Sequence, residues 1–351
     1  MTLINSDVCP SIEPAISIVI PVHNGGASFH ECLSSLTKFV PDSIEVVIVV
    51  DGGTDDSWRL AEESGSKVIK FPTAGGPARA RNAGAQIAQG NILFFIDADV
   101  TVSADTLNQV AIAFQTHPNL AALIGSYDDA PGATNFLSQY KNLFHHYTHQ
   151  TGCEEASTFW GACGAIRRDV FLEIGGFDEA YRYPSIEDIE LGYRLKRAGY
   201  QIRLCKNVQV KHLKCWKPIS LLRAEFFYRA LPWTELLWRD RQFINDLNLK
   251  ISSRISLVLT YGLLVALIAS CWWLPALGLA TLLSLSLLLL NFPLYQFFQH
   301  KRGLWFAVQT IPWHWLYFLY SGLAFATGTV RHHIRQYKLP KLSFHRFKAP
   351  I

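Results

Sequence analysis

Gly90-Asn91-Ile92-Leu93-Phe94-Phe95-Ile96-Asp97-Ala98-Asp99-Val100 is the stretch from which the rest of the chain can be read. Five apolar residues stand in a row, four of them β-branched or aromatic, which predicts a short strand buried on both faces. The strand should end where its hydrophobicity ends, on two carboxylates. Residues i and i+2 of an extended backbone point to the same side, so Asp97 and Asp99 can converge on one point. Two converging carboxylates repel each other unless a cation or protons sit between them. Mg²⁺ or Mn²⁺ suits that demand, with diphosphate oxygens completing the shell. An acidic turn after a strand is the alternative, and only the rest of the chain can choose.

The chain has 351 residues, room for about two domains and a substantial core. Half of the residues are hydrophobic and only 17% are charged, too apolar for an ordinary soluble enzyme. The excess is local: residues 255–300 and 303–330 contain no Lys, Arg, Asp or Glu. About 20 residues of helix cross a bilayer core, so 255–274 and 276–298 are each long enough to span, and the chain is read as membrane-bound. Asp7 and Glu13 precede the first cation, Lys38. The basic start of a signal peptide is therefore missing, and the N-terminal part is expected in the cytosol. Seven scattered cysteines without a C-x-x-C spacing fit reduced thiols rather than a disulfide framework or zinc site. Residues 331–351 hold six Lys or Arg and no acid, a tail suited to an anionic membrane surface.

Ahead of the central stretch, Ile16–Pro21 reads as a first buried strand, closed by Pro21 and the turn His23-Asn24-Gly25-Gly26. A helix follows at about 28–39. Glu45–Val50 is a second strand, ended by Asp51-Gly52-Gly53-Thr54-Asp55-Asp56, where Thr54 or Asp55 caps a helix through Glu62. Lys67–Phe71 is a short third strand, and Gly75-Gly76-Pro77 introduces a helix over 78–88. Strand and helix alternating with short turns predict a parallel α/β sheet. Ligands bind beyond the carboxyl ends of such strands. Pro21–Asn24, Asp51–Asp56 and Asp97–Asp99 all fall at that edge, the geometry of a nucleotide pocket.

These residues carry a resemblance. Ile18-Val19-Ile20-Pro21-Val22-His23-Asn24, Val50-Asp51-Gly52-Gly53-Thr54-Asp55, Ala80-Arg81-Asn82-x-Gly84 and Phe95-Ile96-Asp97-Ala98-Asp99 together resemble a family 2 glycosyltransferase. The match continues through Phe159-Trp160-Gly161-Ala162-Cys163-Gly164, Gly175-Gly176-Phe177-Asp178-Glu179 and Glu187-Asp188-Ile189-Glu190-Leu191-Gly192-Tyr193-Arg194. It covers about residues 15–215. The resemblance implies a GT-A fold, a Rossmann-like nucleotide-binding half joined to an acceptor half. It also implies that Pro21, Asn24, Asp51, Arg81, Asp97, Gly161 and Gly164 surround a nucleotide-sugar, with Asp51 on the base or ribose and Arg81 near the base or phosphates. Asp97 and Asp99 would hold Mg²⁺ or Mn²⁺ on the diphosphate. His212, at the end of the strand Val208–His212, would be a third ligand, as a histidine is in some relatives; an ordinary strand-end histidine is the alternative.

Ser185-Ile186-Glu187-Asp188 opens a helix over 189–198 that Gly199 stops. The two acids could simply be charges favoured by the helix dipole. Inverting glycosyl transfer, however, needs one general base to take the proton of the attacking hydroxyl. In the resembling family that base is the Asp of the pair, here Asp188, with Glu187 as the alternative. His145-His146-x-x-His149 has helical spacing but no acid beside it, and reads as an acceptor-side helix surface.

Residues 216–250 mix aromatics with Arg223, Arg229, Arg239 and Arg241, the make-up of interfacial helices. Arg223 and Arg229 could also bind the phosphate of a lipid acceptor. Processive relatives carry Gln-x-x-Arg-Trp about here; this chain has only Arg229-Ala-Leu-Pro-Trp233, which argues against processive synthesis. The two spans form a hairpin over 255–300 around Trp272-Trp273-Leu274-Pro275, with basic flanks that place both ends in the cytosol. Residues 304–330 are long enough to span, yet Gln309, Pro312 and His314 permit a re-entrant segment. The sequence thus predicts a multi-pass membrane glycosyltransferase with a cytosolic catalytic domain. It would move a single sugar from a nucleotide-diphosphate donor to a lipid-linked or membrane acceptor, with no nucleic acid as partner. A polysaccharide synthase and an inactive membrane scaffold are the rivals.

Overall fold

The structure, a computed structural model, describes residues 15–241 and 247–338. The N-terminal tail (1–14) and most of the basic tail lie outside them. The chain divides into two compact units, 1–217 and 218–351.

The first unit is built on one eight-stranded sheet. Strands β1 (Ile16–Val22), β2 (Glu45–Asp51), β3 (Lys67–Phe71) and β4 (Ile92–Ile96) alternate with helices α1 (Gly26–Phe39), α2 (Ser57–Glu63) and α3 (Pro77–Ile87). They lie in the order β3-β2-β1-β4, all parallel. This half is the sheet that the sequence pattern predicts. Beyond β4 the sheet departs from that pattern. β5 (Val100–Val102), α4 (Thr106–Thr116), β6 (Leu120–Tyr127), α5 (Phe136–Gln150), β7 (Cys163–Arg167), α6 (Arg168–Glu173), α7 (Glu187–Arg197) and β8 (Gln201–His212) complete the unit. The order continues β4-β7-β6-β8-β5, with β7 antiparallel to both neighbours. The sheet is therefore mixed, not parallel. The reversal has a consequence: Cys163 at the start of β7 pairs with Ile96 at the end of β4. Gly161 and Ala162 are thereby delivered to the edge where Asp97 begins.

The core sits on β4, all five of whose residues are fully buried. Phe95 meets Phe159, Phe171 and Phe177 at ring distances of 6.2, 5.3 and 5.3 Å, largely in the edge-on or tilted arrangements that aromatic quadrupoles favour. Helix α3 approaches the sheet closely because residue 84 is glycine: a Cβ there would lie 2.5 Å from Val19 Cγ1.

The second unit is helical. α8 (Pro218–Arg223), a π-helical turn (Ala224–Ala230) and α9 (Leu231–Asp240) precede α10 (Ile251–Ala269), α11 (Ala276–Leu290), α12 (Phe292–Arg302) and α13 (Leu304–Lys338). Among the described residues, α10 is the one helix that is by itself long and apolar enough to cross a membrane. The expected second span over 276–298 is not one straight helix: it bends by 61° between α11 and α12. Pro293, in the first turn of α12, has no N–H for the helix ladder. Asn291 fills the break, donating to Leu287 O at 2.9 Å and to Ser256 Oγ at 3.0 Å. The segment 304–330 lies within the continuous 35-residue α13, which runs through Pro312. α13 docks on α10, where Tyr261 donates to Leu319 O at 2.7 Å, and on α9, where Trp238 Nε1 donates to Thr329 Oγ1 at 2.8 Å.

Truncation of Phe95 removes the ring at the centre of this core. Phe95→Ala should lower unfolding free energy by about 3–5 kcal/mol, measured by denaturant titration of the full-length protein; a loss below about 1 kcal/mol would contradict the packing described.

Candidate active site

The parallel strands β1, β2 and β4 end at one edge, and the chain there carries the polar residues expected from the sequence. Pro21 lies in the β1 ladder opposite Val49. Asn24 takes φ +52°, a conformation that asparagine tolerates better than most residues. Its Oδ1 accepts from Thr54 N–H at 2.8 Å, which ties the β1 turn to the β2 turn. Asp55, rather than Thr54, receives the start of α2, accepting from Ser57 N–H at 3.1 Å and from Gly26 N–H at 3.1 Å.

Asp51 is buried, and its carboxylate accepts from Gly76 N–H at 2.7 Å and Gly75 N–H at 2.9 Å. The sequence reading gave this side chain to the base or ribose. Here it anchors the glycine turn before α3, where the helix N-terminus favours a negative charge.

The sequence places Arg81 near the base or phosphates; its side chain is only 5% exposed, and both terminal nitrogens are engaged inside the protein. Nη2 donates to Asp97 Oδ1 at 2.6 Å, and Nη1 donates to Glu187 Oε1 at 2.9 Å. The two carboxylates hold the guanidinium far into its charged form, raising its pKa against the opposing effect of burial. Glu187, itself buried, also accepts from Ser185 N–H at 2.9 Å. One guanidinium therefore joins the acid at the end of β4 to the acid that opens α7.

Asp188, beside Glu187, is oriented by two amides: Gly161 N–H donates to Oδ2 at 3.1 Å and Ile189 N–H to Oδ1 at 2.8 Å. Gly161 is required for a second reason. A Cβ at this position would sit 2.8 Å from Arg81 Cζ, so the bare backbone lies against the guanidinium. At Gly164 a Cβ would lie 2.4 Å from Trp160 O and 2.7 Å from Phe159 Cζ; this glycine serves packing of the 159–164 segment.

Asp99 faces two cationic or metal-binding groups. Its Oδ2 lies 3.7 Å from His212 Nε2 and 3.9 Å from Lys214 Nζ. His212 is there because β8 pairs with the short β5, setting His212 opposite Val100. The surrounding protein, which leaves the Asp99 side chain 28% exposed, pushes its carboxyl above the ordinary range, while Lys214 pulls it back. Cys32, beneath the turn, is pushed up to about 12 by burial and then by the carboxylates of Asp99 and Asp97.

These residues can be tested against a divalent cation. Among the described residues no three His, Cys, Asp or Glu side chains are gathered as a ligand shell. Asp97, Asp99 and His212 are accordingly not gathered into one shell, and Asp97 Oδ1 accepts from Arg81. Asp99 and His212 do fit: ligand atoms on a bond of about 2.1 Å sit about 3.0–3.5 Å apart, close to the 3.7 Å found. Mg²⁺ is ordinarily held by one or two carboxylates plus substrate phosphates rather than an all-protein cage, and this site has that form.

His146 and His149 are buried, not on a helix surface, and their Nδ1 atoms each lie 2.7 Å from a β6 carbonyl, Tyr127 O and Gly125 O. Arg223 and Arg229 belong to the second unit; Arg229 Nε is 3.9 Å from Glu225 Oε1, and Arg223 lies 6.0 Å from the Tyr228 ring. The sequence reading missed Lys214, for which it offered no motif. It also missed Asn82, which the quoted Ala80–Gly84 block contains. Asn82 donates to Phe177 O and Glu179 Oε1, both at 2.9 Å, and accepts from Phe177 N–H at 2.8 Å, clamping the glycine turn at 175–176.

Residues 17–175 match the model of Glycosyl transferase family 2, and residues 142–216 match that of the N-terminal domain of galactosyltransferase. The fold is GT-A-like. It resembles the mannosyltransferase PcManGT from Pyrobaculum calidifontis, solved with GDP-Man and Mn²⁺, with TM-score 0.60 over 90% of this chain and 88% of that one at 18% identity. Among curated relatives, the probable glycosyltransferase YdaM of Bacillus subtilis is 25% identical over 206 residues, 54% of this chain and 48% of its own length. The glucosyl-dolichyl phosphate glucuronosyltransferase of Haloferax volcanii is 26% identical over 165 residues, 43% of this chain and 51% of its own. The chain spans about half the length of the curated relatives it matches.

Within the stretch that matches the family 2 model, Gly161 offers a direct test of the geometry. Gly161→Ala pushes a methyl against a guanidinium that two ion pairs prevent from moving. It should cost about 1–3 kcal/mol, read as a lower unfolding midpoint; an unchanged midpoint would show that Arg81 is not confined.

Proposed function

We propose that the protein is an inverting, metal-dependent glycosyltransferase that moves one sugar from a nucleotide-diphosphate sugar to a lipid-linked or membrane-associated acceptor. The observation that carries the reading is the Arg81 bridge. It brings the Asp97–Asp99 turn and the Glu187–Asp188 helix start to one place inside a family 2 domain. The Pyrobaculum calidifontis mannosyltransferase, whose fold this chain shares, binds GDP-Man and Mn²⁺, which supports a donor of the same kind. The Haloferax volcanii relative is named for a dolichyl-phosphate-linked substrate, which supports a lipid-linked acceptor. The apolar α10 and the bent α11–α12 pair supply the means of holding the enzyme at a membrane.

The geometry supports the following division of labour. Asp99 and His212, with Asp97 beside them, would hold Mg²⁺ or Mn²⁺, which supplies charge stabilisation of the departing diphosphate. Asp188 acts as general base. Its two amide contacts aim the carboxylate rather than leaving it to rotate. As the acceptor oxygen bonds to the anomeric carbon, its proton passes to Asp188, and the electron pair of the breaking carbon–oxygen bond leaves with the diphosphate. Attack from the face opposite the leaving group inverts the anomeric centre. Arg81 touches neither reactant in this scheme; it fixes the separation of donor and base elements. Lys214, 3.9 Å from Asp99, is placed to offset charge on the diphosphate side.

Thermal shift against UDP-, GDP- and TDP-sugars, each with and without Mn²⁺, should show stabilisation that needs both nucleotide and metal. Asp188→Asn should abolish transfer and keep that stabilisation. Normal turnover by Asp188→Asn would remove it as the base.

A further inference from the structure

Tyr127, the last residue of β6, was singled out by no sequence motif, yet its ring lies flat on His212. The two centroids are 4.3 Å apart and the planes differ by 9°. Tyr127 is held from its other sides. Trp160 meets it edge-on at 4.7 Å and 79°, and His145 meets it at 4.7 Å and 46°. Its backbone is pinned as well: the Tyr127 carbonyl lies 2.7 Å from His146 Nδ1, and the strand pairs with β8 at Val210.

We infer that Tyr127 is the positioning residue that sets the His212 imidazole towards Asp99. The pairing of β5 with β8 fixes the His212 backbone but leaves its ring free to turn about two bonds. A parallel neighbour at stacking distance removes that freedom, because rotation of the imidazole would drive its edge into the tyrosine face. With the ring so held, Nε2 faces Asp99 Oδ2 at 3.7 Å. Side chains behind a metal ligand commonly govern affinity in this way, usually by a hydrogen bond; here the contact is a ring face. Trp160, which meets Tyr127 edge-on, directly precedes Gly161, whose amide donates to Asp188.

The inference rests on the reading of His212 as a metal ligand, and the test separates the two. Mn²⁺ affinity of the full-length protein is measured from the electron paramagnetic resonance signal of free Mn²⁺, alone and with UDP or GDP. Tyr127→Phe, which keeps the ring face, should retain the affinity of the unmodified protein within about twofold. Tyr127→Leu should lose about tenfold or more, and in a His212→Ala background it should lose nothing further. Unfolding measured in EDTA establishes that each variant is folded. Where Tyr127→Leu does not fold, the phenylalanine variant decides: retained affinity supports the stack, and lost affinity overturns it. Undiminished binding by folded Tyr127→Leu, or additive losses with His212→Ala, overturns the inference while leaving the metal reading intact. Failure of the unmodified protein to bind Mn²⁺ in every condition overturns both.

Discussion

A single buried guanidinium carries the architecture of the site. Arg81 is enclosed, and its two terminal nitrogens reach acids 16 and 106 residues away in sequence. Neither partner could be removed without leaving a charge in a poorly solvated place, a change that costs more than the intact pair contributes. A lysine could not substitute, since one ammonium lacks the planar fork that serves two carboxylates in fixed directions. The glycine at 161 lets backbone lie against that group, and Gly84 seats α3, which carries it, close to the sheet. Arg81 Nε finds no acceptor, so the arrangement is not optimised for stability alone. What it secures is the register of the end of β4 against the start of α7.

The acids of the Asp97–Asp99 turn are neutralised separately. Asp97 takes Arg81, and Asp99 faces Lys214 and His212. Repulsion between them is thereby relieved before any divalent cation arrives. Asp97 pairs with the buried Arg81, whereas Asp99 faces the buried His212 and the exposed Lys214. The two acids therefore differ in their partners: Asp97 is tied through Arg81 to Glu187, and Asp99 to the His212–Lys214 end of β8.

The parallel half of the sheet was legible because its strands are uninterrupted apolar runs bounded by glycine and aspartate turns, as in Ile16–Pro21 and Ile92–Ile96. The mixed half was not. β5 is three residues long, too short for any periodicity, yet its pairing is what sets His212 beside Asp99. β7 reverses the sheet through Gly161–Gly164, a segment whose glycines mark close contacts rather than direction. The identities of Asp97, Asp99 and Asp188 could be read from motifs, but the partner of Arg81 could not, because nothing in sequence links residue 81 to residue 187. The bend at Asn291 was equally hidden, since the apolar run continues through it and only Pro293 marks the break. In the second unit the basic residues expected to face lipid are partly spent on ion pairs, with Arg331 and Arg335 both on Glu235.

The central claim is that Asp97 and Glu187 act on one another through Arg81. A double-mutant cycle measures this directly: unfolding free energies of Asp97→Asn, Glu187→Gln and the double variant, in the unmodified protein and again with Arg81→Met. A shared guanidinium predicts a coupling energy of about 0.5–3 kcal/mol that vanishes once Arg81 is gone. Additive effects in both backgrounds would mean that the donor and base elements are held independently, and the account would fail.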